Sequence, residues 1–458
     1  MAPPRSFRPS NRLSGSGKGP AKGRGGKRPS TPPAATPHGP ILSLSIDRLG
    51  ARGDGIAHAD GQTVFVPFAL PGETVQAQAL SRSSDGVSTV LKGIEQPSAH
   101  RTDPVCPHFT RCGGCVTQHM IREDESIWKR SLIVEALKHR GFEDADALVS
   151  STIALPAGSR RRAVFGYRRL AERVVVGFNE RASHQIIPLD ACPVLVPTLS
   201  SLPARLSALL APVLPKGSQG DIMVVASDTG VDMMLDIPAI PDLAGREGLA
   251  AVADQLDLAR LTVRIGKTPE PMVMRRQPVI TLGNTRLSLP IGAFLQPSAE
   301  GQQALQNLVL AAVRDTTGAV ADLFCGMGTF ALPIAELGRQ VTAYDLEAVQ
   351  TAPLHTTGRV KAQARDLFRL PLIIDELKPF STIVLDPPRA GAQQQCQELA
   401  RLPPGTGPQR VVMVSCNPAT FSRDARILAD GGYQLNSVTP VDQFVWSAHV
   451  ELVAVFTR

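Results

Sequence analysis

"DLFCGMGTF", residues 322–330, decides the reading of this chain. The run that leads into it, "AVADLF", reads as a buried strand. Gly326 and Gly328 then form a turn in which the backbone can come close to a ligand where a side chain would clash, and helical sequence follows to Gly338. The same alternation continues to the C-terminus. "QVTAYDL", "STIVLDPPR", "QRVVMVSC", "YQLNSVTPV" and "HVELVAVF" read as strands separated by helical stretches. Strands alternating with helices predict a mostly parallel sheet covered on both faces, whose ligands bind beyond the carboxyl ends of the strands. Cys325, Asp386 and Cys416 lie at or near such ends and are expected to converge.

The residues at those ends suggest a reaction. Asp345 ends the strand after the glycine turn, where an acid is placed to accept hydrogen bonds from a ribose. With no third glycine, the spacing suits a mononucleoside rather than a dinucleotide. Asp366 then falls within reach of an adenine amine, although either carboxylate taken singly can be a helix cap. The prolines of "VLDPPRAG" (384–391) stiffen the loop after Asp386, and such D-P-P loops resemble those of adenosylmethionine-dependent methyltransferases. Arg389, where an aromatic residue is usual for amine methylation, argues against that chemistry.

Cys416 sits at a strand tip before a helix start, where the helix dipole is expected to favour a thiolate. Carbon-5 of uracil needs such a nucleophile at carbon-6 before it can attack a sulfonium. A base must afterwards remove the carbon-5 proton. "WSAHVELVAVF" (446–456) offers Glu451 and His449, and a carboxylate beside that apolar run should be raised in pKa.

The N-terminal half is different in kind. Residues 1–40 carry eight Lys and Arg and no acid, in a Pro-, Gly- and Ser-rich stretch that cannot bury a core and is expected to be a disordered basic tail. The tail's +8 exceeds the whole chain's +7, so residues 41–458 together come to −1. The overall basicity therefore names no partner. Residues 41–97 read as short strands of a small barrel. They are followed by a cysteine knuckle, a helix over roughly 120–140, and antiparallel strands over 160–190 in a central domain taken as 98–290. Cys106, Cys112 and Cys115 fall within ten residues of a chain with seven cysteines, which argues for a metal or cluster site in a reducing cytoplasm over a secreted disulfide framework. No apolar run is long enough to span a membrane, and no hydrophobic block follows the basic N-terminus. "SRRRAVFGYRR" (159–169) interleaves Arg160, Arg161, Arg162, Arg168 and Arg169 with Phe165 and Tyr167, and is expected to present an RNA-contacting face.

Taken together, "DLFCGMGTF", "LDPPRAGA", "SCNPATFSRDA" and "DQFVWSAHVE", in that order, resemble the RNA uracil-5 methyltransferases, from about residue 41 onward. The resemblance implies an α/β protein with a C-terminal class I, Rossmann-like methyltransferase domain (291–458) and an N-terminal OB-like TRAM barrel. Between them it implies a central α+β domain carrying the cysteines. It further implies adenosylmethionine as methyl donor, Cys416 as nucleophile and Glu451 as proton acceptor. Gln296, Phe324, Asp345, Asp366 and Asp386 are the implied cofactor-site residues, and Cys106, Cys112, Cys115 and Cys192 the implied ligands of a [4Fe–4S] cluster. Four thiolates around a structural zinc are the competing reading from the sequence alone. The expected partner is RNA, ribosomal before transfer RNA, with no obligate protein partner evident. Cytosine-5 methylation is a third reading, but its usual P-C motif is absent. A non-catalytic RNA-binding or redox-sensing protein would not need Cys416, Asp386 and Glu451 together.

Overall fold

The computed structural model describes residues 37–458. The part of the expected tail up to residue 36 lies outside the described residues.

Six strands between His38 and Gln96 form the first sheet, in the order His38–Ser45, Thr74–Ser83, Gly86–Gln96, Gln62–Val66, Gly55–Ala59, Arg48–Leu49. Alternate residues of these strands, including Leu44, Val64, Val66, Val75 and Ala77, share one small core, as strand periodicity requires.

A seven-stranded sheet follows, ordered Ile186–Pro188, Val174–Asn179, Arg162–Arg169, Gln219–Ser227, Gly230–Asp236, Leu258–Ile265, Thr268–Met274. Its one parallel pair is Gly230–Asp236 with Leu258–Ile265, joined by the crossover helix Leu243–Gln255, the connection a parallel pair needs. Leu199, Leu206, Leu249 and Val252 pack against this sheet.

The C-terminal sheet has the order Val360–Ala364, Val341–Asp345, Ala319–Leu323, Phe380–Leu385, Arg410–Ser415, Glu451–Thr457, Gln434–Asp442. All pairs are parallel except those made by Glu451–Thr457, which runs antiparallel to both its neighbours. Successive residues of the central strands enter opposite cores. Ala321, Leu323, Ile383 and Met413 join one apolar cluster, while Val320, Val384, Val412 and Val414 join the other. A sheet covered on both faces explains why these strands read as unbroken apolar runs.

Residues 98–290, expected as one central domain, contribute to several cores, those on both faces of the C-terminal sheet included. Ile133, Val134 and Leu137 of the helix Arg122–Lys138 belong to the C-terminal apolar cluster. Ile153–Ala154 adds a parallel edge strand beside Gln434–Asp442. The reason is electrostatic as well as apolar. Lys129, fully buried, lies 2.8 Å from Glu125 and donates to Asp442 and to the Phe444 carbonyl. Arg122 closes the group on Glu125 and Asp442. Two cations and two carboxylates thus neutralise one another out of water, the condition for burying them.

Candidate active site

The sheet order reverses direction between Ala319–Leu323 and Phe380–Leu385, and a cavity of about 510 Å³ opens at their carboxyl ends. Open α/β sheets place ligands at such a switch point. Its wall contains Gln296, Phe324, Asp345, Asp366, Asp386, Cys416 and Glu451, so all seven residues read from the sequence for this site face one space.

Local structure explains each position. Phe324 leaves its strand at φ +64°, in the left-handed region where a bulky residue is strained. Gly326 and Gly328 follow at +54° and +86°. The turn is held by the Gly326 amide donating to Asp345 Oδ2 at 2.9 Å, while the Glu347 amide donates to Asp345 Oδ1 at 3.0 Å. Asp345 therefore braces the glycine turn as well as facing the cavity. Asp366 accepts from the Phe368 and Arg369 amides, and the Phe368 ring lies 5.4 Å from that of Phe324. Neither carboxylate is a helix cap, since the helix Ala348–His355 has Glu347 at its N-cap without a side-chain bond and Asp366 is followed by a turn; both line the cavity.

The position of Cys416 follows from the two residues after it. Asn417 caps the helix Pro418–Asp430, accepting from the Ala419 amide, and Pro418 stands at its first turn, where its missing N–H costs nothing. Asn417 Nδ2 and Thr420 Oγ1 both donate to the Arg389 carbonyl, which ties this loop to the D-P-P loop. Cys325, in the glycine turn, lines the same cavity as Asp386 and Cys416 but is buried, and Cys396 is buried within the helix Gln393–Ala400.

The electrostatics depart from expectation at Cys416. Burial, with the Glu451 and Asp386 carboxylates next, pushes its thiol up to about 11, and Arg389 only partly opposes this. The thiolate expected from the helix dipole is thus outweighed by two facing acids and loss of solvent. Glu451 is 4% exposed. Burial, then Asp386, raises it to about 8, against stabilising contacts from Gln443 and Arg389. Burial and Asp345 raise Asp386 to about 7. Arg389 offsets this crowding of acids only in part.

One residue of the site was missed in the sequence. Gln443 Nε2 donates to Gln296 Oε1 at 2.9 Å and to Glu451 Oε2 at 3.0 Å, and Gln296 Nε2 reaches Asp386 Oδ2 at 3.3 Å. The alternative base, His449, instead pairs its Nε2 with the Arg389 guanidinium at 2.8 Å and borders a second cavity.

That second cavity, of about 490 Å³, is lined by Cys106, Cys112, Cys115 and Cys192, and shares Arg160, Arg389 and Phe444 with the first. Cys112 is fixed by its amide on the His108 carbonyl, and Cys192 by Ser200. Burial pushes Cys115 up to about 12 and raises Cys112 and Cys192, with neighbouring thiols adding to each. The four thiols thus converge. Among the described residues, however, no group of three or more Cys, His, Asp or Glu is arranged to hold a metal ion.

The arginine strand is corrected. Phe165 and Tyr167 are fully buried in the core of the seven-stranded sheet, and Tyr167 donates to the Asp236 carbonyl. Neither ring is free to stack on a base. Arg161 is buried against the Gln296 carbonyl and Gln302, and Arg169 against the Leu170 and Ala171 carbonyls. Only Arg160 and Arg162 of the five reach the first cavity, with Arg162 over the exposed Phe294 ring at 5.3 Å. Strand alternation sent the aromatic residues inward.

The strand order and the glycine turn at the switch point define a class I methyltransferase fold. Comparison with known proteins narrows this. Residues 357–458 match the tRNA (Uracil-5-)-methyltransferase family, and residues 37–80 match the TRAM domain. A Brucella melitensis protein named an uncharacterized RNA methyltransferase is 39% identical over 422 residues, covering 91% of this chain and 97% of its own. The 23S rRNA (uracil(1939)-C(5))-methyltransferase of Shewanella denitrificans is 31% identical over 453 residues, covering 91% and 96%. The crystal structure of Pyrococcus abyssi tRNA (uracil-54, C5)-methyltransferase in complex with S-adenosyl-L-homocysteine shares the fold, with a TM-score of 0.69 at 20% identity, over 91% of this chain and all of that one. The chain belongs to the RNA uracil-5 methyltransferase family.

Proposed function

We propose that this protein methylates carbon-5 of a uridine in RNA, ribosomal RNA first, with adenosylmethionine as donor. The observation that carries the reading is the meeting of Cys416, Asp386, Gln296 and Glu451 around one cavity. The donor fits the residues present. Asp345, Asp366 and Asp386 supply the acids, Phe324 an aromatic wall, and the crowded carboxylates want a cation such as a sulfonium. When bound, the donor supplies an electrophilic methyl group on that sulfonium.

The chain's own residues carry the rest. Cys416 gives up its proton to solvent and forms a C–S bond at carbon-6 as the carbon-5–carbon-6 double bond opens, leaving the electron pair on carbon-5 to take the methyl group, whose former bonding pair stays on the donor sulfur. Glu451 then accepts the carbon-5 proton, the carbon-5–carbon-6 double bond returns, and the C–S bond breaks to regenerate the Cys416 thiolate. Glu451 must be ionised at that moment. A cation beside Asp386 lowers the pKa of both acids and of the thiol. Arg160 and Arg162 stand where an RNA backbone would approach, and the target base must leave its stack to enter.

We further read the four cysteines as the seat of a [4Fe–4S] cluster that pins the cysteine loop and takes no part in methyl transfer. A donor set of thiols alone supports it. The domains follow as 41–97 for RNA contact and 291–458 for chemistry, with residues 98–290 between them and a cytoplasmic location.

The test uses anaerobically purified protein, tritiated-methyl donor and total RNA from a strain lacking the enzyme, with digestion to nucleosides. Label in 5-methyluridine is expected from wild type and abolished by Cys416→Ala, while Glu451→Gln is trapped as a covalent RNA adduct. Label in another nucleoside, or full activity in Cys416→Ala, sinks the reading. Separating the RNAs by size before digestion distinguishes ribosomal from transfer RNA.

A further inference from the structure

Beyond the two residues that do the chemistry, the hairpin carrying Glu451 buries a third polar side chain. Pairing of Gln434–Asp442 with Glu451–Thr457 sets Val441 opposite Glu451, so Gln443 lies two residues past that pair. Gln443 is 3% exposed. Its two partners, Gln296 Oε1 and Glu451 Oε2, are both acceptors and both served from Nε2. Only the amide nitrogen, with its two protons, can satisfy both, so the orientation of the amide is fixed.

The rest of the side chain is equally constrained. Gln443 Oε1 has no hydrogen-bond partner, and a Cβ built on Gly301 would stand 2.5 Å from it. The amide is therefore wedged against the first turn of the helix Ala299–Arg314. Asp442, just before it, is fully buried and clamped by Arg122 and Lys129. A buried acceptor left unsatisfied is costly, and its retention here points to a requirement on the nitrogen side.

We propose that Gln443 is a positioning residue for proton removal: one buried amide fixes the Glu451 carboxylate and orients the Gln296 amide, linking the base side of the cavity to the cofactor side. This rests on Glu451 being the proton acceptor. With Oε2 held by Gln443, the carbon-5 proton goes to Glu451 Oε1. The same donated hydrogen bond favours the ionised carboxylate against its burial. Without it, Glu451 ionises at higher pH, and the rising limb of the pH profile for product release moves in the alkaline direction.

The experiment compares wild type, Gln443→Met, Gln443→Asn and Glu451→Gln in single-turnover reactions on the target RNA from pH 6 to 10. Adduct formation and 5-methyluridine release are measured separately. Gln443→Met is expected to form the adduct but release product about tenfold more slowly at neutral pH, with the limb moved up by about one unit, the size of one charge-assisted hydrogen bond. Alkaline pH restores release, which a merely structural defect would not show. Gln443→Asn, whose amide is one methylene shorter, shifts the limb in the same direction by less, and carries the test if Gln443→Met fails to fold. An unmoved limb and wild-type release in the glutamine variants, with Glu451→Gln still trapped, overturns this inference alone. Normal release from Glu451→Gln overturns the acceptor assignment and the inference with it.

Discussion

The two cavities share three walls, Arg160, Arg389 and Phe444, yet are built on opposite principles. In the methyltransferase cavity the polar groups hold one another, through the chain Asp386–Gln296–Gln443–Glu451 and the capped loops. Groups held by one another in this way are positioned as catalysis requires. In the cysteine cavity burial raises the thiols and neighbouring thiols add to it, with Arg160 within electrostatic reach of Cys115 and Cys192. Such a group is stable as neutral thiols or as ligands, but not as bare thiolates. One cavity is held by hydrogen bonds between its polar groups, whereas the other is lined by buried thiols.

The largest effect expected from breaking the first arrangement is at Lys129. Lys129→Met leaves Glu125 and Asp442 buried with Arg122 as their only cation, which should cost about 3–5 kcal/mol in urea unfolding. A double variant, Lys129→Met with Glu125→Leu, should recover much of that. A loss below about 1 kcal/mol would mean that the network is not what holds the Glu451 hairpin.

Next in size is the cysteine cavity. If the cluster reading holds, Cys192→Ser should lose its iron and melt at lower temperature, while wild type purified anaerobically should carry about four iron and four sulfide per chain. Donor binding, followed by calorimetry, should be unchanged in the variant, because the methyltransferase cavity needs no help to form. One zinc per chain in place of iron would revive the zinc reading. A metal-free protein of equal stability would remove the comparison's second half.

The smallest effect separates the arginines. Arg162→Ala should weaken RNA binding severalfold and lower the salt-dependence slope by about 1. Arg169→Ala should leave the slope unchanged and cost about 1 kcal/mol of stability through its lost carbonyl contacts. Equal slopes for the two would return the whole strand to the RNA-binding face.

What was legible in the sequence was whatever repeats with a period or sits at a strand end. Asp386 and Cys416 were placed by apolar runs that stop, and Asn417-Pro418 by helix-start chemistry. What was hidden depends on where one element meets another. Gln443 has no periodic partner, and only the register that pairs Val441 with Glu451 brings it to Gln296. Glu125 and Lys129, one helical turn apart, look like a solvated ion pair until the end of the Gln434–Asp442 strand covers them. The Phe165 and Tyr167 error has the same root. Alternation gives two faces to a strand but does not say which one a core will claim. The helix start that favours a thiolate at Cys416 is visible in sequence, whereas the two acids opposite come from the D-P-P loop and from the first residue of the neighbouring strand Glu451–Thr457.

The clamp on Asp442 also has a consequence for how the chain is made. Lys129 and Asp442 are 313 residues apart. At a synthesis rate of 5–20 residues per second, the helix Arg122–Lys138 leaves the ribosome about 15–60 s before the strand that neutralises it. For that interval Lys129, Glu125 and Arg122 have only one another and water, and Ile133 and Leu137 have no sheet to cover. The helix is thus a debt carried through nearly the whole of translation, and a nascent chain released early would expose an apolar face together with two charges meant for the interior.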